Sequence, residues 1–143
     1  MRGKNPAKLY LLQIAKLDKM IENKLADRQR WWDTAISATA QMSGERVQSS
    51  SNQQRMADAI NEYIDIENDI DGITALRNKR KEIISVIEQL PLDEYDVLHK
   101  VYVQRMTYQQ VGDAHDKSYS WATTTHGRAL RHVRDILQKK QML

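Results

Sequence analysis

From Ala59 to Ile87 one stripe of residues recurs alternately four and three positions apart without a slip: Ala59, Tyr63, Ile66, Ile70, Ile73, Arg77, Arg80, Ile84 and Ile87. That is the period of a helix packed along its length on another helix. It predicts a helix from about Gln53 to Leu90. Two arginines interrupt the stripe. Arg77 and Arg80 either fix register by pairing with acids on a neighbouring helix or mark where the helices splay.

A second stripe precedes it. Asn5 then Pro6 is a helix start, because the asparagine oxygen caps free amides and proline at the first helical position gives up no needed donor. Ile14, Leu17, Ile21, Leu25, Trp32, Ala35 and Met42 then keep to one face, so a helix from Pro6 to about Gln41 is expected. Trp31 and Trp32 point about 100° apart, so only one fits the seam, and a core place is expected for it. Ser43-Gly44 and the polar run Gln48 to Asn52 break the pattern and predict a flexible tip near 43–53. Helices of roughly 36 residues are about 54 Å long and too narrow to stand alone. The simplest partner for each is the other, as an antiparallel hairpin. Any apolar stripe left over invites a second chain, so a homodimer through the hairpin is expected.

The remaining composition agrees with an all-α chain. Of 143 residues 29% are charged, there is no phenylalanine and only two prolines occur. The longest uncharged run, between Asp33 and Glu45, is mostly Ala, Ser and Thr, far short of the roughly 20 apolar residues that cross a bilayer. No membrane contact is expected. The apolar stretch Leu9–Leu12 is too short for an export signal, so a cytoplasmic, nucleoid-associated protein is expected. Zero cysteines exclude disulfides, thiolate metal sites and cysteine nucleophiles. His99, His115, His126 and His132 show no i, i+3 or i, i+4 pair, and no phosphate-binding glycine loop or serine nucleophile motif exists. Neither an enzyme nor a metal or other cofactor is expected.

Charge is unevenly placed. Six acids and no base lie between Met56 and Gly72. From Lys117 onward six bases, Lys117, Arg128, Arg131, Arg134, Lys139 and Lys140, face one acid, Asp135. A polyanion would avoid the first zone and favour the second.

Leu90-Pro91 punctuates the chain, since proline disfavours helical geometry in the residue before it. Two regions follow: 1–90, the helical hairpin, and 91–143. Leu92, Tyr95, Leu98, Val101 and Tyr102 mark an amphipathic helix ending near Arg105. Thr107-Tyr108-Gln109-Gln110 fits a capping box, Asp116 to Ser118 a turn, and a last helix starts near Ser118. Its inner face would be Ala122, Thr125 or His126, Ala129, Val133 and Ile136 with Leu137. Ser120, Thr123, Thr124, Arg131 and Arg134 would point outward. This is the layout of a helix-turn-helix, whose second helix meets base edges with its opening residues.

These residues carry a resemblance. Gln110-Val111-Gly112, His115, Ser118, Ala122 and Arg128-Ala129-Leu130 follow, without a gap, the pattern of the fourth conserved region of bacterial sigma factors. With Ala7-Lys8-Leu9-Tyr10-Leu11, Ser118-Tyr119-Ser120-Trp121 and His126-Gly127 added, nearly the whole chain resembles a Gram-positive phage and prophage family. Members are described as sigma-like helix-turn-helix proteins, similar to the ArpU and RinA late-gene activators. The resemblance implies control of phage late genes. Alanine is usual in the motif where this chain has Gly112, leucine at His115, glycine at Asp116, and valine or isoleucine at Ala122. The losses at His115 and Ala122 would cost about 2 to 5 kcal/mol unless Trp121 or Tyr119 repacks into the gap.

The resulting expectation is a sequence-specific regulator of transcription that binds double-stranded DNA. Tyr119, Ser120, Thr123 and Thr124 would read bases, and Lys117, Trp121, Arg128 and Arg131 would contact phosphates. Packing against the preceding helix competes with DNA contact as the role of Trp121. Plain solvation competes for the arginines. Two rival expectations are a packaging component resembling a small terminase subunit and a protein-docking module acting on RNA polymerase or a host regulator.

Overall fold

The computed structural model describes residues 5–43, 50–68 and 70–143, without the side chains of 38–50, 52 and 66–71. Among them every regular element is helical: α1 (Pro6–Ser43), α2 (Ser50–Asn68), α3 (Ile70–Ile87), α4 (Leu92–Leu98), α5 (Tyr108–Ala114) and α6 (Tyr119–Lys139), with a π turn at His99–Val103 after α4. No described helix is long and apolar enough to cross a membrane.

Asn5 caps α1 as its sequence predicts, its side-chain oxygen accepting from the amides of Ala7 (3.0 Å) and Lys8 (3.3 Å). The expected tip lies partly outside the described residues. Ser50 to Gln53, placed in it by composition, are helical, because serine and asparagine serve well in an opening turn. The single helix expected from Gln53 to Leu90 is described as α2 and α3, with Asp69 outside the described residues. α3 ends at Ile87, where Gln89 and Leu90 donate to the carbonyls of Val86 (3.3 Å) and Ile87 (3.1 Å) in tightened turns ahead of Pro91.

The chain forms two compact units, Lys19–Arg77 and a larger one of Met1–Asp18 with Asn78–Leu143. By compactness the chain does not part at Leu90-Pro91, because the first turns of α1 and the end of α3 belong with the C-terminal helices. Ala7, Leu11, Ile14 and Leu17 are buried there, and so are Ile83, Val86 and Ile87. The seam read from spacing therefore slips at the end of α3: Ile83 and Val86 replace Ile84, which is only half-buried. The larger unit covers that end of the helix over a wider arc than one neighbour would. Arg80 pairs with Asp18 at 2.5 Å, whereas Arg77 is exposed.

The smaller unit has a thin seam. Ala35 and Ala59 are its buried residues there, and small side chains let helices approach closely. Neither tryptophan takes the expected core place. Trp31 is half-buried under the Arg30 guanidinium, 4.9 Å away, and Trp32 is exposed with its ring 4.9 Å from that of Tyr63. Tyr63 also meets Arg28 through its hydroxyl at 3.4 Å.

In the larger unit α4 packs on α6, and α5 packs on α6. Leu92, expected on the buried face of α4, is 80% exposed, and Glu94 takes its place among the buried residues. Gln104 donates to His99 O at 3.0 Å, five residues back, and Met106 to Lys100 O at 2.9 Å. Arg105, at φ 58°, turns the chain toward α5.

Candidate nucleic-acid interface

α5 opens on the predicted capping box. The Gln110 amide donates to Thr107 Oγ1 at 3.2 Å, and the Gln110 side-chain oxygen accepts from the Thr107 amide at 2.9 Å. The turn after it closes on one carbonyl: Gly112 O accepts from Lys117 N–H (2.8 Å) and His115 N–H (3.1 Å). Asp116 sits at φ 54°, a left-handed position that aspartate tolerates. A Cβ on Gly112 would lie 2.9 Å from the carbonyl oxygens of both Lys117 and Ser118, so even alanine meets backbone there. Ser118 then caps α6, its hydroxyl accepting from Trp121 N–H at 3.0 Å.

The core below the turn is small: Val97, Val111 and Ala122, with Val101, Met106, Tyr108 and Trp121 packed around them. The gap expected at His115 and Ala122 is met by Trp121, whose ring lies 4.8 Å from the His115 ring. His115 Nε2 stands 2.7 Å from Asp96 Oδ2, and Lys100 Nζ bonds the same carboxylate at 2.9 Å. Burial alone would raise the Asp96 carboxyl, but Lys100 and then His115 outweigh it and hold it below its ordinary value. Trp121, expected among phosphate contacts, thus serves as packing.

A second polar group ties α6 to the π turn. Tyr102 Oη lies 2.8 Å from His126 Nε2, and Tyr108 Oη 3.5 Å from its Nδ1. Burial, aided by the charge of Lys8, pushes His126 down to about 4. It is neutral at pH 7, with one ring nitrogen donating and the other accepting. Burial first, and then a neighbouring tyrosine, raises both Tyr102 and Tyr108, so the hydroxyls keep their protons.

Arg128 is not turned outward. Its Nε lies 3.2 Å from Glu94 Oε2 and its terminal nitrogen 3.2 Å from Asp93 Oδ2, while His132 Nδ1 meets Glu94 Oε1 at 2.5 Å. Glu94, 3% exposed, is therefore a buried carboxylate clamped by two bases from α6. This clamp joins α4 to α6. Sequence spacing gave no sign of it, since Glu94 reads as a surface acid and its partners come 34 and 38 residues later.

The other expected residues lie at the surface. Tyr119, Ser120, Thr124, Lys117 and Arg131 are exposed, and Thr123 is half-buried with its hydroxyl donating to Ser120 O at 3.1 Å. The Tyr119 ring stands edge-on to Tyr108 at 6.0 Å. At 100° per residue, Ser120, Thr123, Thr124, Gly127, Arg131 and Arg134 fall within about 60° of one line along α6. Ala122, Ala129 and Val133 are fully buried on the opposite side. Arg131 and Arg134 make no ion pair among the described residues. Gly127, in the middle of this line, has nothing within 4 Å of where a Cβ would stand.

No three His, Asp or Glu side chains among the described residues could hold a metal ion together. No family model, curated protein or solved structure matches the chain.

Proposed function

We propose that the chain is a sequence-specific double-stranded DNA-binding regulator of transcription that lays α6 in the major groove. The observation that carries this reading is the outward line of α6, where small polar residues precede two unpartnered arginines and a bare glycine. Ser120, Thr123 and Thr124 offer hydroxyls to base edges, with Tyr119 at their start. Lys117, Arg131 and Arg134 take the phosphates. Arg128 and Trp121 support the helix from behind rather than touching DNA. Glycine inside a helix costs about 1 kcal/mol relative to alanine, and the fold does not need one at Gly127. A closely approaching partner does, because a Cβ there would hold it off.

The resemblance of residues 110–130 to the fourth sigma region extends the proposal to control of phage late genes in a bacterial cytoplasm, with RNA polymerase as a further partner. The contacts of Asp18 with Arg80 and of Trp32 with Tyr63 support a reading in which α1 folds back on the helices after it as an antiparallel hairpin.

Binding to a library of the flanking genomic DNA at two salt concentrations tests the reading. Specific binding should weaken steeply with salt. Arg131→Ala and Arg134→Ala should each make the salt slope shallower by about one unit. Absence of binding at the lower salt, or a slope untouched by both changes, overturns it.

A further inference from the structure

The smaller unit leaves large apolar side chains in water. On α1 Trp32 is 44% and Ile36 49% exposed; on α2 Ile60 is 39% and Ile64 46% exposed. α1 ends at Ser43 and α2 begins at Ser50. Helices that touch at Trp32 and Tyr63 with so short a link between their ends must run in opposite directions.

Handedness then decides where the four residues lie. At 100° per residue, Trp32 and Ile36 are turned about 60 to 100° past Ala35, and Ile60 and Ile64 about 100 to 140° past Ala59, in the same rotational sense. For antiparallel helices meeting at Ala35 and Ala59, the same sense on both brings the four onto one side of the pair. Asp58, Glu62 and Asp65 are turned the other way from Ala59 by about 60 to 120°. The unit therefore has an apolar side and an acidic side.

We infer that the apolar side is the contact between two copies of the chain. Four half-exposed large side chains make a patch of a few hundred Å², the size that marks an interaction face on a monomer. Two such faces laid together complete a four-helix arrangement, the ordinary way for a two-helix layer to bury its second side. Charge agrees with a copy as occupant. Gln29 and Asn61 border the patch, and the three acids are held off it, so the copies meet without opposing like charges. The inference stands apart from DNA binding, since neither α5 nor α6 takes part.

Sedimentation equilibrium of the full chain without DNA provides the test. The wild type should weigh twice its 16.7 kDa at micromolar concentration. Ile36→Glu/Ile64→Glu should halve that mass with helical circular dichroism unchanged, and Asp65→Lys on the other side should leave it alone. Mixing the doubly acidic chain with Ile36→Lys/Ile64→Lys should restore the doubled mass, which a misfolded variant could not do. A monomeric wild type, pointing to a different protein as occupant, overturns the inference. So does a dimer that survives the acidic pair, or a mixture that stays monomeric.

Discussion

The two compact units solve the same problem, holding helices side by side, with different chemistry. The larger one assigns each contact a partner: Glu94 takes Arg128 and His132, Tyr102 takes His126, Asp96 takes His115 and Lys100. Such polar pairs inside a core are costly unless every member is satisfied, and they specify one arrangement. The smaller unit relies on a seam of alanines and a ring contact, and leaves its largest apolar groups outside. One region is specified from within; the other is left to be completed from without.

The largest expected effect sharpens this contrast by making the same truncation in each unit. Leu11 is fully buried in the larger unit, so Leu11→Ala should cost about 3 to 4 kcal/mol in urea unfolding. Leu25, half-buried in the smaller unit, should cost less than half of that when made alanine. Equal losses would break the comparison.

Next comes acid. His126 falls from 6.5 to about 4 on folding, so between those values the unfolded chain binds the proton and the folded chain does not. Stability should be full above pH 6.5 and fall as pH drops toward 4, by up to about 3 kcal/mol. Urea midpoints followed over that range should show the slope, and His126→Gln should flatten it. A slope unaltered by the substitution would mean that the loss comes from elsewhere.

The smallest effects divide the larger unit itself. Gly112→Ala drives a Cβ against two backbone oxygens and should cost about 2 kcal/mol. Gly127→Ala meets nothing and should raise stability by up to about 1 kcal/mol while weakening DNA binding. Thermal melts and a binding titration read both. A stabilised Gly127→Ala protein with undiminished affinity would remove the reason given for a bare helix face.

Local signals in the sequence were legible. Asn5, the Thr107–Gln110 box and Ser118 announce helix starts through their own side chains, and the inner face of α6 follows from a 3.6-residue period. Only Ile136 on that face is less buried than expected, with Leu130 buried in addition. What depended on distant partners was not legible. Leu92 and Glu94 exchange their expected places because α6 supplies bases that make burial of the acid worthwhile, and nothing near residue 94 announces them. Trp32 was assigned to the seam because periodicity gives an angle but not how far a neighbour wraps around it. Arg128 has the composition of a phosphate ligand, and only the fold turns it inward.

The π turn at His99–Val103 has a consequence for how this chain can change in length. An α-helix would set Val97 and Tyr102, five residues apart, about 140° from each other, yet both are buried. The wider turn works as a phase corrector, bringing Tyr102 round to His126 while Val97 stays under α5. Loss of one residue between them would restore a regular helix and still leave the chain out of step, because everything after it would be swung by roughly a quarter turn. Within these few residues the protein should accept many substitutions and no deletion.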